Sequence, residues 1–284
     1  MPRVSLGPFA RTLATLSIAG TALSALIFLV SPWVFSGLAR EDLPVEVASA
    51  LLALGASILF FRSLRRSGRI FGWPGLVCVG FLALMLFLIA GEEISWGQRI
   101  FGIETPETFD GNIQNETNFH NFATDAFEFS YYFSAFVLLI VVPFVISCRP
   151  NLPRLAKLLP SPATAAVALP IAAFDYDHWM VSLAQISSFV TLFVAAAWAV
   201  GTPDGASRRL FVTAILVLVW VQAIFLAYGA AFLRIWDVTE YKEMVIAGGF
   251  AYYAYELFVR LREADTAENA APDQRWRAAR KPSG

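Results

Sequence analysis

Apolar residues fall along this chain in long, nearly unbroken stretches, not at the spacing of two or 3.6 that marks a half-buried strand or helix. Stretches of about 18 residues, enough to cross about 30 Å of hydrocarbon at 1.5 Å per residue, lie at Leu13–Leu38, Val45–Phe61, Pro74–Ile94, Phe127–Ser147, Met180–Val200, Leu210–Leu233 and Met244–Val259. They are rich in Leu, Ala, Val and Phe without the alternation of a membrane barrel strand, so they predict helices. An eighth stretch, Leu158–Tyr176, carries Pro160, Pro162 and Pro170. Pro170 removes the bond to the Ala166 carbonyl, which predicts a short or broken fifth span. The fold class expected is an all-α polytopic transmembrane bundle of about eight spans. Residues 1–261 form the membrane domain, and 262–284, charged and Ala-rich, form a disordered cytoplasmic tail.

Composition agrees: 57% of residues are hydrophobic and 15% charged, against about 25% charged in a soluble domain. Charge placement orients the bundle. Arg62 to Arg69, Arg149 to Lys157, Arg208-Arg209 and both ends are basic, which puts them and both termini in the cytoplasm by the positive-inside rule. Outside there remain only Arg40, Arg99, Arg234 and Lys242, together with 16 of the 22 acidic residues. The net charge of −1 therefore conceals −12 outside and +12 inside, with Glu256 in the last span. Topology explains the basic half. The acidic half it leaves open, because Asp and Glu do little to set orientation. Because the basic half is the signature of insertion, no nucleic-acid partner is expected. Cys78 and Cys148 both fall on the cytoplasmic side, away from an oxidising compartment.

The densest polar signal is Gly91-Glu92-Glu93-Ile94-Ser95-Trp96-Gly97-Gln98-Arg99, at the outer end of the third span. Two adjacent carboxylates ending a run without charge are costly against lipid and should face protein or a water-filled cavity. The carboxamide-rich Asn112 to Asn121 follows; if helical, it sets Glu116 and His120 at i and i+4, able to share an ion or proton. Asp175, Asp177 and His178 close the Pro-broken segment, where the alternative role for Asp175 or Asp177 is the N-cap of the next helix. Asp237, Glu240 and Glu243 read as a solvated first turn. Trp33, Trp96, Trp179 and Trp236 read as an interfacial belt.

These residues support an enzyme acting on a lipid or lipid-linked substrate at the outer leaflet. Glu92, Glu93, His120, Asp175 and His178 are its candidate catalytic groups, and Arg99, Trp96, Gln98 and Asn118 its substrate contacts. Glu92, Glu116, His120 and His178 are candidate ligands of a divalent cation. A transporter or proton pathway and a non-catalytic assembly or sensor protein are the alternatives. The string Glu92 to Arg99, with Glu104-Thr105-Pro106-Glu107 and Asn115 to Asn121, resembles a family of bacterial polytopic membrane proteins. That resemblance implies a bacterial inner-membrane location and transfers no catalytic roles.

Overall fold

The computed structural model describes residues 2–40, 43–109, 117–119, 122–149, 151–176 and 180–279, with side chains described up to residue 266 except at Arg99. Among these residues there is no strand, and seven helical runs are long and apolar enough to cross a membrane. Large apolar side chains such as Leu16, Leu84, Phe189, Phe193, Leu216 and Leu226 are exposed on them. That is the surface expected where the solvent is lipid. The protein is thus an integral, multi-pass membrane protein.

Helix ends follow local chemistry. The first expected span divides into α1 (Pro8–Val30) and α2 (Pro32–Leu38), because Pro32 lacks an N–H and Ser31 is extended, its side chain accepting from Val34 N at 3.3 Å. Helix α3 (Pro44–Phe71) continues past Phe61 through the basic stretch read as a linker. It turns into α4 (Trp73–Glu93) at Gly72, which needs φ +71°. After α5 (Gln98–Phe101), α6 (Thr124–Phe136) runs through a π-helical turn, Val137–Val141, into α7 (Val142–Ser147). The wide turn lies just ahead of Pro143, which has no N–H to close an ordinary one.

The Pro-rich fifth segment is one helical run, Arg154–Phe174, whose character changes along its length. A 3₁₀ stretch, Arg154–Leu158, precedes α8 (Pro162–Ala168), and Leu169–Phe174 is again 3₁₀. The break expected at Pro170 is therefore a tightening of the helix. Gln222 Nε2 donates to the Ala172 and Ala173 carbonyls at 2.8 and 3.2 Å, satisfying groups that lipid could not. This segment sits in the middle of the bundle, with Ala165, Ala168, Leu169, Ala173 and Phe174 buried.

Helix α9 (Val181–Gly201) and α10 (Gly205–Tyr228) form a hairpin capped by Asp204, which accepts from Ala206 N and Ser207 N at 3.1 Å each. Hydrogen bonds from these caps and the Ser207 hydroxyl hold the Asp204 carboxyl down at about 2. Helix α11 (Asp237–Ala279) packs along α3 and α8. It contains the expected last span Met244–Val259 but is not among the seven apolar runs, because Tyr252, Tyr253, Tyr255 and Glu256 interrupt it. The bundle meets two of those polar groups internally: Glu256 accepts from Ser161 Oγ at 2.5 Å and Thr164 Oγ1 at 2.8 Å, and Tyr253 donates to the Leu158 carbonyl. The pairing of Glu256 with Arg260, at 3.7 Å, is the looser contact. The helix runs on without a break into the segment expected to be a disordered tail, where Asp265 is held by Arg69 at 2.7 Å and Arg66 at 3.6 Å. Those two ion pairs fasten the start of that segment to α3.

Candidate carboxylate site

Glu92 and Glu93 are neighbours in sequence and about 100° apart around α4, so they face different partners. Glu92 turns to the loop that follows. Its Oε1 accepts from Trp96 Nε1 at 2.7 Å and its Oε2 from the backbone N of Phe119 at 2.6 Å. The Trp96 ring lies over Gly91, where a Cβ would come within 2.7 Å of it. Ser95 and Trp96 adopt φ of +46° and +53°, a left-handed turn unusual for residues with side chains. Gln98 donates to Thr105 Oγ1 and accepts from Thr117 N, both at 2.6 Å, and Asn118 Nδ2 donates to Ser95 Oγ at 3.3 Å. Much of the sequence signal from Gly91 to Gln98 is thus a clasp that holds Thr105 and residues 117–119 against the end of α4.

Glu93 turns the other way, into the bundle. Its carboxylate meets those of Glu240 and Glu243, one turn apart on α11, and one oxygen from each lies within 4.8 Å of the others. All three are half-buried. Glu46, on the first turn of α3, adds negative charge within electrostatic range of Glu93 and Glu240. Tyr132 donates to Glu243 Oε1 at 2.5 Å. Tyr131, 8% exposed, turns its hydroxyl toward Glu93 and Glu243 with no hydrogen-bond partner. The expectation that Asp237, Glu240 and Glu243 form a solvated first turn fails: Asp237 is fully buried against Arg234, at 2.6 Å, and the two glutamates line a protein interior.

Among the described residues, two cations stand near the carboxylates and both are engaged elsewhere, Arg234 by Asp237 and Lys242 by Asp175. Lys242 Nζ stands 2.8 Å from Asp175 Oδ1, an ion pair with almost no exposure on either side, and 4.3 Å above the ring of Tyr132. Ser188 Oγ donates to Asp175 Oδ2 at 3.2 Å. Asp175 therefore anchors the end of the fifth segment to α9 and α11. It does not cap α9, whose N-cap is Met180. Of the other sequence candidates, Glu116, His120 and His178 lie outside the described residues, as does the side chain of Arg99. The structure brings Glu93 together with two residues, Glu240 and Glu243, that the sequence reading had set aside. Their i, i+3 spacing beside a buried Asp237 was the one available signal.

Three carboxylates at this separation repel strongly in a half-buried setting unless they share protons or a cation. A point between three oxygens at most 4.8 Å apart lies about 2.8 Å or less from each, close to the 2.3–2.6 Å of calcium–oxygen bonds. Mg²⁺, at about 2.0–2.1 Å, requires the ring to contract further. With oxygen ligands only, the set suits a hard cation such as Ca²⁺, Mn²⁺ or Mg²⁺ and not Zn²⁺. Comparison of the chain with protein families, with curated proteins and with solved structures finds no match.

Proposed function

We propose that this protein is a divalent-cation-dependent membrane enzyme acting on a lipid or lipid-linked substrate at the outer face of a bacterial inner membrane. One observation carries the reading: Glu93, Glu240 and Glu243 converge from two helices, with Tyr131 presenting an unmatched buried hydroxyl to the same space. The carboxylates would hold the cation, and Tyr131 and Tyr132 would position its ligands. A bound cation there supplies Lewis acidity toward a phosphoryl or carbonyl oxygen. The site lies at the end of the bundle where α4 stops and α11 starts, and with α4 crossing the bilayer that position supports access to lipid headgroups. The acidic excess on this face, which topology leaves unexplained, supports it further.

The test is a thermal-unfolding series on purified protein stripped with chelator and then given Ca²⁺, Mn²⁺ or Mg²⁺. A cation at about 100 times its dissociation constant adds about 2.7 kcal/mol. Wild type should gain this stabilisation, and Glu93→Gln and Glu240→Gln should not. If none of the three cations raises the midpoint of wild type, the reading is refuted. Cation-dependent release of product from a bacterial lipid extract then tests the enzymatic part.

A second reading is favoured by the path from Glu243 through Tyr132 to Lys242, Asp175 and the 3₁₀ segment, a polar chain leading inward from the carboxylates. Such a chain beside a broken helix suits a cation or proton pathway. Cation or proton flux in liposomes, abolished by Tyr132→Phe, would favour this reading over the enzyme.

A further inference from the structure

An apolar groove of about 600 Å³ runs along the membrane-embedded part of the bundle between α1, α3, α8 and α11. On α11 its lining extends from Tyr241 to Tyr255, roughly 21 Å along the helix axis. On α1 it extends from Phe9 to Ile27, so the groove lies nearly parallel to the helices. We infer that this groove holds a single alkyl chain of a membrane lipid, an inference that does not rest on the cation-site reading above.

Size selects the occupant. A volume of about 600 Å³ spread over roughly 21 Å has a cross-section of about 30 Å², well under the roughly 80 Å² of a helix about 10 Å across. A transmembrane helix of a partner or of a second copy is too thick. An extended hydrocarbon chain is the slender apolar object the bilayer supplies in quantity. The groove is also continuous with the lipid-facing surface, since Leu16, Leu23 and Tyr255 both line it and stand exposed.

Chemistry agrees with size. Three hydroxyls in the wall are spent on backbone: Thr21 Oγ1 donates to the Ser17 carbonyl at 3.0 Å, Ser24 Oγ to that of Thr21 at 2.8 Å, and Tyr241 OH to that of Phe35 at 3.0 Å. None of these asks for a polar ligand. Two glycines keep the space open. A Cβ at Gly20 or Gly248 would meet nothing within 4 Å, whereas one at the adjacent Gly249 would come within 2.9 Å of Leu139 Cδ1. Gly249 is required for packing and Gly248 is not. At one end Phe9 lies tilted against Tyr252 and Tyr255, centroids 6.3 and 5.1 Å apart, and because Phe9 and Tyr255 are exposed that end opens to the lipid.

The experiment is photolabelling of the full chain in phosphatidylcholine vesicles doped with a phosphatidylcholine that carries a mid-chain diazirine, with adducts mapped by peptide mass spectrometry. Adducts should concentrate on the groove walls, Ser17–Ile27 and Met244–Tyr252. Gly248→Leu should lower them at least about fivefold, and Gly20→Leu should act likewise, because both line the groove and a Cβ at either enters open space. Gly55→Leu, also in open space but off the groove, should leave labelling unchanged. Adducts spread evenly over exposed positions such as Leu84, Phe189 and Leu216, and insensitive to Gly248→Leu, would overturn the proposal. So would cross-links between two copies through these walls. Glu240→Gln separates the two readings: labelling kept there, with no cation binding in wild type, sinks the metal site alone, and cation binding without groove labelling sinks the groove alone.

Discussion

Removing the acid from the buried Asp175–Lys242 pair, as Asp175→Asn, should be among the most damaging isosteric changes available to this protein. Both side chains are almost wholly out of solvent and 2.8 Å apart. At an effective dielectric of about 20 the attraction is about 6 kcal/mol, offset in the native protein by the cost of burying both charges. Breaking such a pair from one side leaves the other charge stranded and costs about 3–5 kcal/mol. Lys242→Met leaves Asp175 stranded in the same way and also loses the contact with the Tyr132 ring. Removing both charges restores neutrality. The double variant Asp175→Asn, Lys242→Met should recover most of the loss, because Asn still meets Ser188 and Met fills the volume of the lysine stem. The assay is thermal unfolding of the purified protein in one detergent, read as a double-mutant cycle. At about 2–4 °C per kcal/mol, each single variant should fall by roughly 10 °C and the double by only a few. Strictly additive losses would refute the argument, since they would show that the two charges do not act on each other.

Other outcomes follow from the same geometry. Gly249→Ala should lower the unfolding midpoint by the equivalent of about 1–3 kcal/mol through overpacking against Leu139 and Ala168, while Gly248→Ala, one residue away, should be neutral or slightly stabilising. Glu256→Ala should cost about 2 kcal/mol by stranding Ser161 and Thr164, measured by the same melt, and Glu256→Gln less. Asp204 is an acid with a folded value depressed to about 2, so the stability it lends is present above the ordinary carboxylate range and lost as pH falls through about 2. Asp204→Ala should therefore melt earlier than wild type at pH 7, with the gap closing as pH is lowered toward 2. A reporter fused within Gly201–Ser207 should show a cytoplasmic signal; a periplasmic one would invert the charge map.

The membrane-spanning runs were legible because one physical requirement, length of apolar chain, decides them, and it is written locally. What local reading missed were the ends. Ser31-Pro32 splits the first span, and α3 carries its basic residues as helix because nothing in Arg62–Arg69 breaks it. The site was half legible. Glu93 stood out as a carboxylate at the end of an apolar run, yet which of Glu92 and Glu93 faces the interior depends on rotation about α4, fixed only by packing. Its partners Glu240 and Glu243 lie about 150 residues away, and no helical spacing connects them to α4. The lone cluster of Gln98, Asn118 and Trp96 attracted attention as substrate contacts, while in the structure the side chains clasp the loop.

The central position of the Arg154–Phe174 run bears on how this protein is made. Its mean hydropathy of 1.4 is the lowest of the seven spans, and 67% of that window is covered by protein, against 33–44% for the others. Helices α1 and α7, which also touch it, are made before it, whereas α9, α10 and α11 are synthesised after it, and the carboxylate that grips Ser161 and Thr164 arrives only with the last of them. The segment therefore reaches its final surroundings only when the C-terminal third of the chain closes around it, so that biogenesis ends with the last helix locking an earlier one in place.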